Sequence, residues 1–266
     1  MSVLEDIVAG VREDLDARRR SLPLEDVRVL AEQAPAPRDA YAALSAGTNG
    51  MGVIAEVKRK SPSKGELSNI QDPAELAAAY ERGGAAVISV LTEERRFGGS
   101  LADLDAVRAA VNVPILRKDF TVDEYQIFEA RAHGADLILL IVAALDDATL
   151  ASFLELTERL GMHALVETHT AEEVQRAVAV GARIIGVNVR NLKTLEIDRS
   201  VFPALAALIP SHSVLVAESG VRDIADVELY AADGAHAVLV GEALVRHSNP
   251  EATVRNFTRV GNALHS

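Results

Sequence analysis

Eight short apolar runs recur along the chain, with enough residues between them for a helix each time. They are rich in valine and isoleucine, and most are bounded by glycine, proline or charged residues, as buried strands are. The first reads GVIAEVK from residue 52 and the last reads HAVLVG from residue 236. Nearly continuous apolar strands that alternate with helices indicate a parallel sheet covered by helices.

The segments between the runs carry helix start and stop signals. DPAELAAAYERGG has an aspartate cap, proline at the first helical position and a terminal glycine. Four later helical segments end at a glycine just before the next run: Gly134, Gly161, Gly181 and Gly234. Glycine at this point predicts the left-handed cap that forms where a helix turns back into a parallel strand.

Eight strand–helix units in about 215 residues predict a (β/α)8 TIM barrel, a fold of about 250 residues. A doubly wound sheet is the alternative. It would more often bring a G-x-G-x-x-G turn after the first strand, and this sequence has none there. Residues 1–266 are predicted to form one barrel domain, in which residues 1–51 are an N-terminal helical extension.

Composition excludes several classes of function. The formal charge of −12 argues against general nucleic-acid binding, which relies on net positive surface. The absence of cysteine excludes disulfides and thiolate metal sites. The N-terminus lacks the pattern of a signal peptide, and no apolar run reaches the roughly 18 residues of a membrane span. We therefore expect a cytoplasmic protein with neither nucleic-acid nor membrane partners.

Charged and polar residues cluster at the carboxyl ends of the predicted strands, which meet on one face of a parallel barrel, where active sites lie. Glu56 and Lys58 stand two residues apart and therefore share a face of the first strand. A ring of opposed charges at the mouth would shift the pKa values of its members. For any single residue, a strand-end charge in solvent is the alternative. The candidates are Glu56, Lys58, Lys118, Glu167, Asn188, Arg190 and Glu218.

The loops after the last two strands, ESGVRD and VGEAL, predict a phosphate site. Each places a glycine, Gly220 or Gly241, before a helix, and backbone N–H groups at a helix N-terminus bind phosphate. This loop pair is the usual phosphate site of such barrels. The alternative is that the glycines serve only tight turns. Because the carboxylate of Glu242 would repel phosphate, we expect its backbone to be used and its side chain to point away.

Two aromatic residues, Phe97 and Phe120, stand beside loops at the same rim. Since only 4% of residues are aromatic, they suggest an aromatic ligand, with packing as the alternative. The cationic loop RKSPSKG is able to fold over an anion, although a solvated turn is the simpler interpretation for its lysines. No histidine pattern typical of metal binding, no Walker loop and no Ser-His-Asp spacing is present.

These residues lie in motifs that resemble the indole-3-glycerol-phosphate synthase family, in order and over essentially the whole chain. The motifs are IAEVKRKSPSKG, SVLTEERRFGGS, PILRKDF, LVETH, GVNVRNL, AESGV and VGEALV. The resemblance implies a cofactor-independent carbon–carbon lyase of tryptophan biosynthesis. Its substrate would be 1-(o-carboxyphenylamino)-1-deoxyribulose 5-phosphate, and its products indole-3-glycerol phosphate, CO2 and water. It implies no metal, and we expect a monomer whose partner is this small phosphosugar-anthranilate.

The resemblance also implies roles for individual residues. Lys118 would be the general acid that protonates the ribulose carbonyl, while Glu167 and Lys58 would transfer protons in ring closure and dehydration. Glu56, Asn188 and Glu218 would hold the lysines and the substrate. The substrate-binding residues would be Ser61, Phe97, Phe120, Arg190, Ser219, Gly220, Gly241 and Glu242. Family members often carry serine where Glu242 stands, so its phosphate contact would come from the backbone.

Two other functions remain open at this point. A Schiff-base aldolase could use Lys118 or Lys58, since barrel lysines also do that chemistry. A phosphate-sugar sensor could use the same loops without catalysis. The resemblance further favours partial closure of the barrel mouth by residues 4–15, rather than packing of that segment on the side of the barrel.

Overall fold

Eight parallel strands close into a barrel, in which β1 pairs with both β2 and β8. The computed structural model describes residues 3–45, 50–61, 65–66, 70, 72–192, 194–246 and 249–261. The predicted (β/α)8 barrel is confirmed, and the doubly wound alternative is wrong because the first strand closes on the last. The strands are β1 Gly52–Val57, β2 Val87–Leu91, β3 Ile115–Lys118, β4 Leu137–Ile141, β5 His163–Thr168, β6 Ile184–Asn188, β7 Val214–Glu218 and β8 Ala237–Val240.

Helices precede the barrel and separate its strands. The extension contains α1 Val3–Ser21, α2 Leu24–Gln33 and α3 Ala40–Ser45. The later helices are α4 Pro73–Arg82, α5 Leu101–Ala110, α6 Glu124–Ala132, α7 Asp147–Arg159, α8 Ala171–Ala179, α9 Phe202–Ala206, α10 Ile224–Ala232, α11 Glu242–Arg246 and α12 Pro250–Thr258. Short 3-10 turns cover Val142–Ala144 and Arg199–Val201, and Lys60–Ser61 pairs with Gly65–Glu66 as a small antiparallel ladder.

The predicted helix caps are confirmed. Asp72 caps α4 by accepting hydrogen bonds from the backbone N–H groups of Ala74 and Glu75. The four glycines before strands have φ between 75° and 88°, the left-handed region that glycine adopts without a steric penalty. Local sequence therefore ends these helices where the chain must reverse direction into the next strand.

The barrel interior is aliphatic in its middle and charged at the carboxyl ends of the strands. Ile54, Leu116, Leu165 and Val216 belong to one buried cluster inside the barrel. Two residues further along the same strands stand Glu56, Lys118, Glu167 and Glu218. Side chains two apart share a strand face, so these charged groups point into the barrel at its carboxyl end. The same cluster includes Ala40 and Leu44 from α3, which therefore packs against the interior.

Helix α1 is attached to the loops that follow β2 and β3. Its Ile7 and Val11 pack against Val122. Arg95 forms ion pairs with Glu13 and Asp14, at 2.8 and 2.6 Å. Within the described chain, no helix is both long enough and apolar enough to cross a membrane.

Candidate active site

A cavity of about 510 Å³ opens at the carboxyl ends of the strands. Three residues of α1, Val3, Leu4 and Ile7, form part of its wall, so the extension covers part of the mouth. The backbone of Ser61 lies in the small antiparallel ladder, and its side chain lies outside what the structure describes. The other predicted site residues all line the cavity: Glu56, Lys58, Phe97, Lys118, Phe120, Glu167, Asn188, Arg190, Glu218, Ser219, Gly220, Gly241 and Glu242.

Lys118 lies between two buried carboxylates. Its Nζ is 3.2 Å from Glu218 Oε2 and 3.4 Å from Glu167 Oε2. Burial by itself disfavours the ammonium, but Glu218, Glu167 and Glu56 outweigh it and raise the pKa of Lys118 above its ordinary value. Lys58 forms a separate ion pair with Glu56. The site therefore presents Lys118 as an ammonium that can donate a proton.

The two carboxylates beside Lys118 do not have the same affinity for protons. Burial, reinforced by the charge of Glu167, raises the pKa of Glu218 to about 8. Burial also opposes ionisation of Glu167, but Lys118 and His169 outweigh it and lower the pKa of Glu167 below its ordinary value. Environments that separate the pKa values of two neighbouring carboxyls provide one acid and one base near neutral pH.

Asn188 connects the loops after β6 and β7. Its Oδ1 accepts hydrogen bonds from Ser219 Oγ at 2.8 Å and from the backbone N–H of Arg190 at 3.0 Å. Ser219 and Gly220 are consecutive left-handed residues, with φ of 68° and 78°. A left-handed serine is strained unless its surroundings hold it, and here Tyr230 donates its hydroxyl to the Ser219 carbonyl at 3.1 Å. These contacts hold in place the loop predicted to bind phosphate.

The two rim aromatics form a pair. The ring centroids of Phe97 and Phe120 are 6.0 Å apart, and their planes are inclined by 39°. The carboxylate of Glu93 accepts backbone N–H bonds from Arg96 and Phe97, at 2.7 and 2.9 Å, and so holds the Phe97 loop. A tilted aromatic pair in a cavity wall can pack against a planar ring.

Comparison with known proteins connects this geometry to a family. Residues 4–257 match the family profile of indole-3-glycerol phosphate synthase. The chain belongs to the indole-3-glycerol phosphate synthase family. An indole-3-glycerol phosphate synthase from Micrococcus luteus is 67% identical over 260 residues, covering 97% of each chain. One from Arthrobacter sp. is 64% identical over 264 residues, covering 98% of this chain and 97% of the relative.

More distant structures share the barrel. A crystal structure of 3-hexulose-6-phosphate synthase matches with a TM-score of 0.64 at 19% identity, covering 79% of this chain and 99% of that one. Thiamine phosphate pyrophosphorylase from Pyrococcus furiosus matches with a TM-score of 0.60 at 12% identity, covering 80% and 96%. At these identities the likeness shows the fold alone. The assignment of this chain to the indole-3-glycerol phosphate synthase family therefore rests on the sequence matches.

His169 was not predicted from the sequence as a site residue. It lies next to Glu167, with Nε2 3.3 Å from Glu167 Oε1. The signal was present, because His169 follows Glu167 by two residues and period-two alternation puts both on one strand face. Arg199 was not predicted either; it lines the cavity, and its Nη1 donates to the Gly220 carbonyl at 2.7 Å. Glu242 was expected to point away, and its carboxylate forms an ion pair with Arg246.

Gly186, in β6, leaves space for the carboxylate of Glu218. A Cβ at this position would lie 2.0 Å from Glu218 Oε1 and 3.2 Å from Leu165 Cδ1. We expect Gly186→Ala to push the flexible Glu218 side chain aside at small cost in stability. Turnover should fall by about tenfold, since misplacing a catalytic group by 1 Å can cost as much as 10²-fold.

Steady-state kinetics and thermal unfolding of Gly186→Ala check this expectation. Gly261→Ala is the matched control, because a Cβ there meets nothing within 4 Å. A Gly186→Ala protein with the turnover of the control would show that the position of Glu218 is not critical.

Proposed function

We propose that this chain converts 1-(o-carboxyphenylamino)-1-deoxyribulose 5-phosphate to indole-3-glycerol phosphate, CO2 and water. The observation that carries this proposal is Lys118 held between Glu167 and Glu218 inside the cavity of a family member. The reaction needs a proton donor at a carbonyl and stabilisation of substrate anions, and this cavity offers both.

In the first step, the ring carbon that carries the carboxylate attacks the ribulose carbonyl carbon. A carbon–carbon bond forms, and the carbonyl oxygen takes a proton from the Lys118 ammonium. The bond to the carboxylate carbon then breaks, CO2 leaves, and its electron pair restores the aromatic ring. The neighbouring carboxylates keep Lys118 in its ammonium form, so a proton is present on Nζ when the carbonyl oxygen develops negative charge.

The second half of the reaction is a dehydration. The new hydroxyl leaves with a proton as water, and the neighbouring methylene carbon loses a proton, which forms the indole double bond. We assign these two proton transfers to Glu167 and Lys58. Glu56 holds Lys58 through their ion pair, and Asn188 holds the loop beside the reacting atoms.

Substrate binding follows from the distribution of charge and aromatic surface. We place the phosphate at the loops after β7 and β8 and the anthranilate ring against Phe97 and Phe120. Arg190 and Lys58 meet the anthranilate carboxylate. Although the chain has a formal charge of −12, the cavity wall includes the basic residues Lys58, Lys118, Arg190, Arg199, Arg222 and Arg246. The wall also includes six acidic residues, Glu56, Asp119, Glu167, Asp198, Glu218 and Glu242, so basic and acidic groups balance there, in contrast to the acidic chain as a whole. The basic residues provide the partners that an anionic small-molecule substrate needs.

A progress curve with the anilino-ribulose phosphate, followed by indole fluorescence, tests the proposal. We expect turnover without an added metal or redox cofactor, and no covalent adduct when borohydride is added. Binding without turnover would instead support a phosphate-sugar sensor. A borohydride-trapped adduct at Lys118 or Lys58 would support an aldolase. We further propose a cytoplasmic monomer, and a light-scattering mass of 28.3 kDa is the expected result for its oligomeric state.

A further inference from the structure

His169 lies between two carboxylates at the end of β5. Its Nε2 is 3.3 Å from Glu167 Oε1, and its Nδ1 is 3.0 Å from Glu173 Oε2. Glu173, in the first turn of α8, also accepts a hydrogen bond from the backbone N–H of His169 at 2.7 Å. The imidazole side chain is only 10% exposed. Glu173 therefore fixes the ring so that its other nitrogen faces Glu167.

The two carboxylate oxygens of Glu167 face different basic side chains. Oε2 faces the Lys118 ammonium at 3.4 Å, and Oε1 faces the imidazole. Glu218 shares the same ammonium, at 3.2 Å from Lys118 Nζ, but its other charged neighbour is the carboxylate of Glu167. The geometry thus places two positive groups on one carboxylate and one positive group on the other.

The imidazole is charged in this setting. Burial by itself disfavours the imidazolium, but the neighbouring carboxylates of Glu167 and Glu173 outweigh it and raise the pKa of His169 to about 10. The groups that face the ring are Glu167 from β5 and Glu173 from α8, and both are acidic. Both therefore favour the protonated ring at neutral pH.

We propose that His169 is a positioning residue that holds Glu167 as the ionised carboxylate facing Lys118 and leaves the proton of the carboxyl pair on Glu218. The inference rests on the proposed function, because it assigns how the proton transfers of that reaction are prepared. His169 acts through Glu167 and does not touch the reacting atoms.

Two amide substitutions distinguish the contact of the His169 ring with Glu167 from its contact with Glu173. The amide nitrogen of His169→Gln is expected near the position of Nε2, where it keeps the contact with Glu167. That of His169→Asn is expected near Nδ1, where it reaches only Glu173. We expect His169→Asn to lower kcat by about tenfold with little change in KM, and His169→Gln to recover part of that loss. The matched control is His133→Asn, which removes a histidine paired with Asp105 at 2.7 Å. A purely structural role would give the reverse order, with His169→Asn the more active.

The pH profile provides a readout that structural damage would not move. Lys118 and His169 hold the pKa of Glu167 below its ordinary value, so removal of the imidazolium should raise it. Because the reaction needs Glu167 ionised, the acid limb of kcat/KM should move to higher pH in His169→Asn. An unmoved acid limb, or variants as active as the control, would overturn the proposal.

A measurement without substrate separates this proposal from the proposed function. In the NMR spectrum of the whole protein, the His169 ring signal is identified by its absence in His169→Gln. We expect it to keep its imidazolium shift at pH 8, and to titrate at lower pH in Glu167→Gln. Titration near the ordinary value of about 6.5 in the unmutated protein would overturn the positioning role, even if turnover is observed. Absent turnover with the expected titration would instead overturn the proposed function.

Discussion

Replacement of Lys118 by alanine is expected to lower kcat by roughly 10²-fold or more, the scale of a lost general acid. The ammonium is the only cation within 4 Å of the facing oxygens of both Glu167 and Glu218 in the described part of the chain. Alanine removes the proton donor for the ribulose carbonyl and leaves two buried carboxyls facing each other. Since Lys118 lowers the pKa of Glu167, its removal should raise that pKa and leave less of Glu167 ionised.

Two further variants make this result specific to the proton donor. Lys118→Arg keeps a cation between the carboxylates but is a far poorer donor near neutral pH, so its turnover should stay close to that of alanine. Arg159→Ala removes a cation from a surface pair with Glu155 and should leave turnover unchanged. If Lys118→Ala kept more than about a tenth of the original kcat, general acid catalysis by Lys118 would be excluded.

Replacement of Arg117 by alanine is expected to destabilise the folded chain by about 3–5 kcal/mol, the usual cost of leaving buried charges without their partner. Arg117 is 3% exposed and points away from the barrel interior, next to Lys118 in β3. Its guanidinium donates to Glu129 at 2.8 Å, to Asp119 at 3.1 Å and to Thr92 Oγ1 at 3.0 Å. Alanine would leave the carboxylate of Asp119 buried without an ion-pair partner, whereas Glu129 would keep Arg18, whose Nε is 2.9 Å from Glu129 Oε1.

The free energy of unfolding, measured by urea denaturation, checks this expectation. Arg159→Ala is again the matched control, because an exposed ion pair contributes only about 0–1 kcal/mol. Arg117→Met combined with Asp119→Asn should recover part of the loss, since it removes the buried charge that has lost its ion-pair partner. A loss below about 1 kcal/mol for Arg117→Ala would show that water or a shifted side chain satisfies Asp119 and Glu129.

The barrel was predictable because its signals are local. Apolar runs of strand length, aspartate caps and glycines in the left-handed conformation each act over a few residues, and Asp72 and Gly134 behave as their types predict. The orientation of the charged side chains at the strand ends was predictable for the same reason. Glu56 shares a strand face with Ile54, so an aliphatic interior below implies a charged mouth above.

Other features of the site depended on contacts between distant segments. His169 was not among the residues predicted for the site, because its importance comes from Glu173 in the following helix as well as from Glu167. The wall contributed by Val3 and Ile7 depends on where α1 packs, and the ion pair between Arg95 and Asp14 joins residues 81 positions apart.

The order of residues alone was therefore enough to establish a closed parallel barrel, its family and the set of groups at its mouth, because strand alternation and helix capping act between near neighbours. The proton distribution among those groups emerged only in the folded chain. Lys118 meets Glu167 across 49 positions of sequence and Glu218 across 100. Electrostatic effects depend on distances in space and on burial, and both are set by the way the barrel closes.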